Sequence, residues 1–387
     1  MAVPNSALAQ VSNGALVAAI VAYAVAMLAY ACDFAFGKRP ARSAAKTAEA
    51  AEAAEVMTAS RVGAAAFVGA GAGPDLAGHA FPADPADPAE LADLREAAAT
   101  ASASGGPAGS ALGTRGSGGA LPASLPGRPA RWPEGGWVSA AFGLTCAGLA
   151  LHLVAIITRG LAEHRVPWGN MYEFIGAITC AAVIVLVFAS VRFRAYFMGL
   201  FVLLPVVVAL AVDVVVIYTP AGSLVPALQS YWIAIHVTAM IIAIGTYIFG
   251  AVVTVLYLLV ARHERRVAAG EVSADVGVLA QLPGSTLLDR LSYRAILFAF
   301  PAWTFAVIAG AIWADHAWGR YWGWDPKETW SFITWLVYAA FLHARATAGW
   351  RGRRAAWIQL VGFTCLMFNL VGVNLWITGL HSYAGLG

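Results

Sequence analysis

Charged side chains are scarce in this chain. Asp, Glu, Lys and Arg make up 12% of its 387 residues, about half the ~25% share of soluble globular domains. That shortage excludes an ordinary soluble fold. With 60% hydrophobic residues and a mean hydropathy of +0.71, the composition specifies a polytopic membrane protein. The net charge of +3 is too small to attract nucleic acid. Cysteine is sparse as well. Cys32, Cys146, Cys180 and Cys365 lie far apart in apolar runs with no C-x-x-C pair. This excludes a disulfide framework, a zinc site and a dithiol redox centre, and leaves thiols that pack as small hydrophobes. The first apolar run lacks a basic n-region before it and an A-x-A cleavage signal in the "CDFAFGKRPAR" that follows. It therefore reads as a retained span and not as a signal peptide.

Long apolar runs are abundant. A helix needs about 20 such residues to cross a bilayer. Segments near 14–36, 136–157, 171–190, 196–217, 231–260, 295–314, 328–346 and 355–378 qualify. The expected fold is all-α, with about eight transmembrane helices. Three regions follow: an N-terminal transmembrane helix in 1–37, a linker over 38–133, and a seven-helix membrane domain over 134–387. The linker is dominated by Ala, Gly, Pro and Ser, as in "PADPADPAE" and "GGPAGSALGTRGSGG". It has too little apolar surface to offset its ordering entropy, so disorder is expected, with short helices near 43–57 and 88–100.

Basic residues orient the spans. With the N-terminus outside, twenty of the twenty-four Lys and Arg fall inside, and Arg159, Arg165, Arg320 and Lys327 fall outside. That solution makes both termini, and the segment "WGRYWGWDPKETW" at 318–330, extracytoplasmic.

This segment holds four tryptophans, a tyrosine and four charged residues in thirteen positions. Its end has a local explanation. Asp325 suits an N-cap, Pro326 the first helical position, and Glu328 completes a capping box. A residue before proline avoids the helical region, so 318–325 should be a loop or a short surface helix. The tryptophans fit two readings, a membrane-interface belt or a platform for a large planar ligand. Six of the fourteen, Trp313, Trp318, Trp322, Trp324, Trp330 and Trp335, fall within 313–335. That crowding favours the platform, to which Gly319 and Gly323 would give close access.

Two histidines reach the same level. His236, in "QSYWIAIHVTAM", lies just inside the outer end of the fifth span, and His381, in "WITGLHSYAG", just beyond the eighth. Each alone reads as structural. Two at one depth beside an aromatic platform fit axial ligands of a haem iron. His343, in "FLHARAT", lies about 27 Å deeper at 1.5 Å per residue. It reads either as an intramembrane functional group or as a headgroup contact. His152, His164 and His316 are weaker candidates, and His79 and His263 read as solvated on the inner side. Arg320 and Lys327 are cations placed to meet the haem propionates. Asn170, Tyr172 and Glu173 stand in another outer loop where they can shape a pocket.

These residues carry a resemblance. "WGRYWGWDPKETW" closely resembles the WWD motif of the CcsA/ResC-type cytochrome c biogenesis proteins, including their actinobacterial CcsB-like members. "VPWGNMYEF", "YWIAIHV", "FLHAR" and "GLHSYAG" are similar to further stretches of that family, and the resemblance covers 137–387. It implies a System II protein of a bacterial plasma membrane that binds haem b as substrate and ligand. Trp318, Tyr321, Trp322, Gly323, Trp324, Asp325 and Trp330 would form the haem-binding segment. His236 and His381 would be the outer haem ligands and the catalytic pair, with His343 at a possible inner haem site. It further implies a holocytochrome c synthase activity shared with a ResB-type membrane partner. The two thiols of an apocytochrome c C-x-x-C-H segment would add to the haem vinyl groups, and a thioredoxin-like reductant would serve those thiols indirectly. Membrane lipid is the remaining partner. The alternative is a haem exporter or chaperone of the CcmC-like kind, without synthase activity.

Overall fold

The computed structural model describes residues 5–37, 135–222, 228–274 and 277–381, all within one compact unit. The linker expected over 38–133, its two short helices and His79 lie outside the described residues. So does the "SYAG" after His381.

Eight long helices follow one another. They are α1 (Ser6–Phe36), α2 (Gly136–Glu163), α3 (Met171–Phe193), α4 (Gly199–Val216), α5 (Tyr231–Ala268), α6 (Ser285–Trp318), α7 (Pro326–Ala346) and α8 (Arg353–Trp376). No strand occurs among the described residues. All but α7 are long and apolar enough by composition to cross a membrane, so this is a multi-pass membrane protein. The remaining expected span forms as α7, whose 21 residues cover about 31 Å, close to the ~30 Å hydrocarbon core. Lys327, Glu328, His343 and Arg345 make it less apolar than the rest.

Two helices outrun their apolar segments. α5 continues through the basic run to Ala268, and α6 begins at Ser285, inside what reads from sequence as an inner loop. A helix leaving the bilayer needs no apolar face on every side, so its polar extension is invisible to a search for apolar runs.

Two apolar cores result. One gathers α1 to α4 with the C-terminal part of α5 and the N-terminal part of α6, and the other gathers α5 to α8 with part of α3. α1 belongs fully to the first. Its Tyr23 lies against Gly148 of α2, where a Cβ would come within 2.6 Å of the ring, and Ser12 Oγ donates to Ala155 O at 2.7 Å. His263 differs from expectation. Its Nε2 is buried with no partner among the described residues, so this edge of the ring is not solvated.

Candidate functional site

The N-terminal ends of α3, α5 and α7 and the C-terminal ends of α6 and α8 enclose a cavity with about 1130 Å³ of empty space, open mouth included. Its wall includes the aromatic side chains of Trp168, Trp303, Trp313, Trp318, Tyr321 and Trp322. Both His236 and His381 line it.

His236 stands on the second turn of α5. Its Nδ1 lies 2.7 Å from Ala306 O on α6. A carbonyl only accepts, so Nδ1 carries the proton and Nε2 carries the ring's lone pair. The ring comes this close because residue 310 is glycine. A Cβ there would stand 2.6 Å from both Cε1 and Nδ1 of His236.

His381 is held by a different device with the same result. Asp325 caps α7, and Glu328 completes the expected capping box by accepting from Asp325 N at 3.1 Å. The Asp325 carboxylate also reaches the chain end. Oδ1 accepts from Leu380 N at 2.7 Å, and Oδ2 stands 2.8 Å from His381 Nδ1. A carboxylate acceptor again assigns the proton to Nδ1 and the lone pair to Nε2. A Cβ at residue 379 would meet Asp325 Oδ1 at 2.6 Å, so glycine lets the tail lie across the cap. Burial favours the neutral carboxyl, but the bonds from His381 and Leu380 N–H outweigh it and hold Asp325 below the usual aspartate range. Metal-binding imidazoles characteristically give their second nitrogen to a carboxylate or carbonyl in this way.

Trp313 touches both imidazoles. Its ring is parallel to His236 within 11° at 6.1 Å between centroids, and lies 5.7 Å from His381. Trp318 approaches His381 edge-on at 5.0 Å. The expected aromatic segment divides. Trp318, Tyr321 and Trp322 face the cavity. Trp324, 64% exposed and at φ 59°, contacts Trp322 and Phe332 instead. Trp330 lies against Phe368 at 4.2 Å.

The charges divide too. Arg320 pairs loosely with Glu328 at 3.4 Å, and Gly323 N donates to the same carboxylate at 2.8 Å. Lys327 instead lines the cavity, where its Nζ donates to Asn369 O at 2.7 Å. Asn369 sits in a π turn, Phe368–Gly372, within α8. Such turns redirect backbone hydrogen bonds and recur at functional sites. Asn369 is 6% exposed, and its Oδ1 has no partner among the described residues. His343 stands apart, exposed near the opposite end of α7.

A buried ion network braces the rim. Glu173 accepts from Arg159 at 3.2 Å, Arg165 at 2.9 and 3.1 Å, Gly169 N at 2.8 Å and Asn170 Nδ2 at 3.0 Å. Glu163 joins both arginines, at 3.0 and 2.7 Å. This clamp fixes the loop presenting Trp168 and Asn170 to the cavity. Arg159 belongs to α2 and is 3% exposed. His152 is fully buried beside Tyr23, His164 caps α2 in a left-handed conformation, and His316 is exposed. None of the three lines the cavity.

Trp168 and His381, the first and last residues of the cavity wall, are also the limits of a family match. Residues 168–381 match the Cytochrome C assembly protein family. The chain belongs to this family. Among curated relatives, the cytochrome c biogenesis protein CcsA of Guillardia theta is 35% identical over 261 residues, covering 63% of this chain and 85% of the relative. That of Gloeobacter violaceus is 34% identical over 308 residues, covering 65% and 91%. That of Chlamydomonas reinhardtii is 46% identical over 163 residues, covering 42% and 43%. The chain is thus a CcsA-type cytochrome c biogenesis protein, and haem enters its work generally through that role.

Sequence reasoning undervalued Trp313, Trp168 and Asn369. Trp313 was legible only as one tryptophan among six. Asn369 had a clearer signal, an amide within an apolar run, which in a membrane marks function by default.

Proposed function

We propose that this CcsA-type protein holds haem b in the cavity at the extracytoplasmic face of a bacterial plasma membrane. With a ResB-type partner it attaches that haem to apocytochrome c. The reading is carried by one observation: two imidazoles line one aromatic cavity, and each has Nδ1 committed to a fixed acceptor. That leaves Nε2 of each as the nitrogen able to ligate iron. The basic-residue distribution supports the outer orientation, with both termini on that face.

In this reading His236 and His381 orient the haem, and Trp318, Trp322 and Tyr321 hold its flat faces and edges. Trp313, touching both imidazoles, must stack on the bound macrocycle or yield to it. Lys327 is the better propionate partner, because it lines the cavity and Arg320 does not. The haem supplies vinyl groups. Each cysteine S–H of the substrate's C-x-x-C-H segment adds across one vinyl bond, forming a C–S and a C–H bond with no net oxidation. The protein contributes position and exclusion of water. A thioredoxin-like protein keeps the substrate thiols reduced. His343, exposed at the inner end of α7, marks an inner haem site completed by the partner.

Co-expression with the ResB-type partner and an apocytochrome tests this. The expected product carries haem that stays with the cytochrome after denaturation. Haem reaching the outer face without a covalent product would overturn the synthase role and favour a CcmC-like exporter or chaperone.

A further inference from the structure

A second cavity lies far from the histidines, where the inner ends of α5 and α8 meet. Arg262, Arg265 and Arg266 line it from α5 and Arg353 from α8, around about 770 Å³ of empty space, open mouth included. Among the described residues of its wall the one acid is Glu271, and that carboxylate accepts from Arg266 Nε at 2.9 Å. The lining thus carries four exposed arginines and one carboxylate.

The helix ends add to the imbalance. Arg265 and Arg266 suit the C-terminal end of α5, where the helix dipole is negative. Arg353 and Arg354 occupy the start of α8, where the dipole is already positive. The first turn of α8 contains no acidic residue, and its cap, Gly352, offers no side-chain acceptor. The cavity therefore presents cations and a positive helix end, and lacks a matching anion from its own lining.

Its depth identifies the anion's source. Trp350 and Trp357, 40% and 57% exposed, flank Arg353 as aromatic residues flank a headgroup layer. α5 has 38 residues, about 57 Å against a hydrocarbon core of ~30 Å. Arg262 is the first charged residue along it and so marks the boundary. Guanidinium forks match phosphate oxygens in pairs, and basic pockets between membrane helices suit anionic headgroups.

We propose that this cavity binds the phosphate of an anionic phospholipid. Occupancy ties together the inner ends of α5 and α8, whose other ends border the histidine cavity. The site requires neither haem nor a protein partner. Its test therefore succeeds or fails independently of the synthase reading.

The experiment uses the full chain, purified in detergent and exchanged into micelles containing phosphatidylglycerol or phosphatidylcholine, with retained lipid counted by native mass spectrometry. Phosphatidylglycerol is expected to be retained in preference to phosphatidylcholine. The Arg262→Gln/Arg353→Gln variant should lose about thirtyfold in retention, the effect of two interfacial arginine contacts, while melting normally in phosphatidylcholine. Glu271→Gln, which releases Arg266, should raise retention and keeps the test decisive if the double variant does not fold. Equal retention of the two lipids, or variants that retain lipid like the native chain, would overturn the proposal. Displacement of phosphatidylglycerol by millimolar inorganic phosphate would keep the phosphate chemistry but overturn the lipid as its source.

Discussion

Asp325 Oδ2 stands 2.8 Å from His381 Nδ1 across a sequence separation of 56 residues, and the same carboxylate caps α7. One side chain therefore starts a helix and orients the His381 imidazole by fixing its proton on Nδ1. Asn is as good an N-cap as Asp, so Asp325→Asn separates the two roles. Helix content should be unchanged, while haem affinity measured by titration falls about 10–100-fold, as for other supports of metal-binding histidines.

The same carboxylate sets an acid limit for the tail. Its folded pKa is depressed, so its contribution is complete above the ordinary aspartate value of about 3.9 and is lost as pH falls through the lower folded value. The hydrogen-exchange protection factor of the Leu380 amide should stay level from neutral pH to about pH 4 and drop only under stronger acid. Loss of protection between neutral pH and about pH 5 would contradict the clamp.

Gly310→Ala would place a methyl 2.6 Å from the His236 ring and push the imidazole off Ala306 O. Haem binding should fall at least about tenfold, the lower range for disturbing a ligand's support, with the protein still folded. Gly14→Ala is the control. Its Cβ meets nothing within 4 Å, and haem titration should not distinguish it from the native chain.

The helices were legible because apolar runs of membrane length leave few alternatives. Asp325–Pro326–Glu328 announced the start of α7 down to its capping box. The level of His236 and His381 followed from counting residues along spans. Contacts between spans were not legible, because packing is decided by side chains far apart in the chain. Nothing local in "WADHAW" places Trp313 against both His236 and His381. Nor does "WDPKE" reveal that Asp325 serves the chain end as well as the helix. Nor does the sequence show that Glu163 and Glu173 close around Arg159.

That network carries its own prediction. Glu173 is 5% exposed and satisfies two arginines, and removing one partner of a buried pair costs about 3–5 kcal/mol. Glu173→Ala should markedly lower the melting temperature in detergent and loosen the loop that carries Trp168. A melting curve that matches the native one would show that the clamp contributes little.

The central claim is that His236 and His381 jointly hold haem, and the visible spectrum of the purified full-length protein tests it most directly. The account predicts a Soret band in the native protein, weakened in His236→Ala and in His381→Ala and lost in the double variant. A native protein without colour, or a band of unchanged height in the double variant, would contradict it.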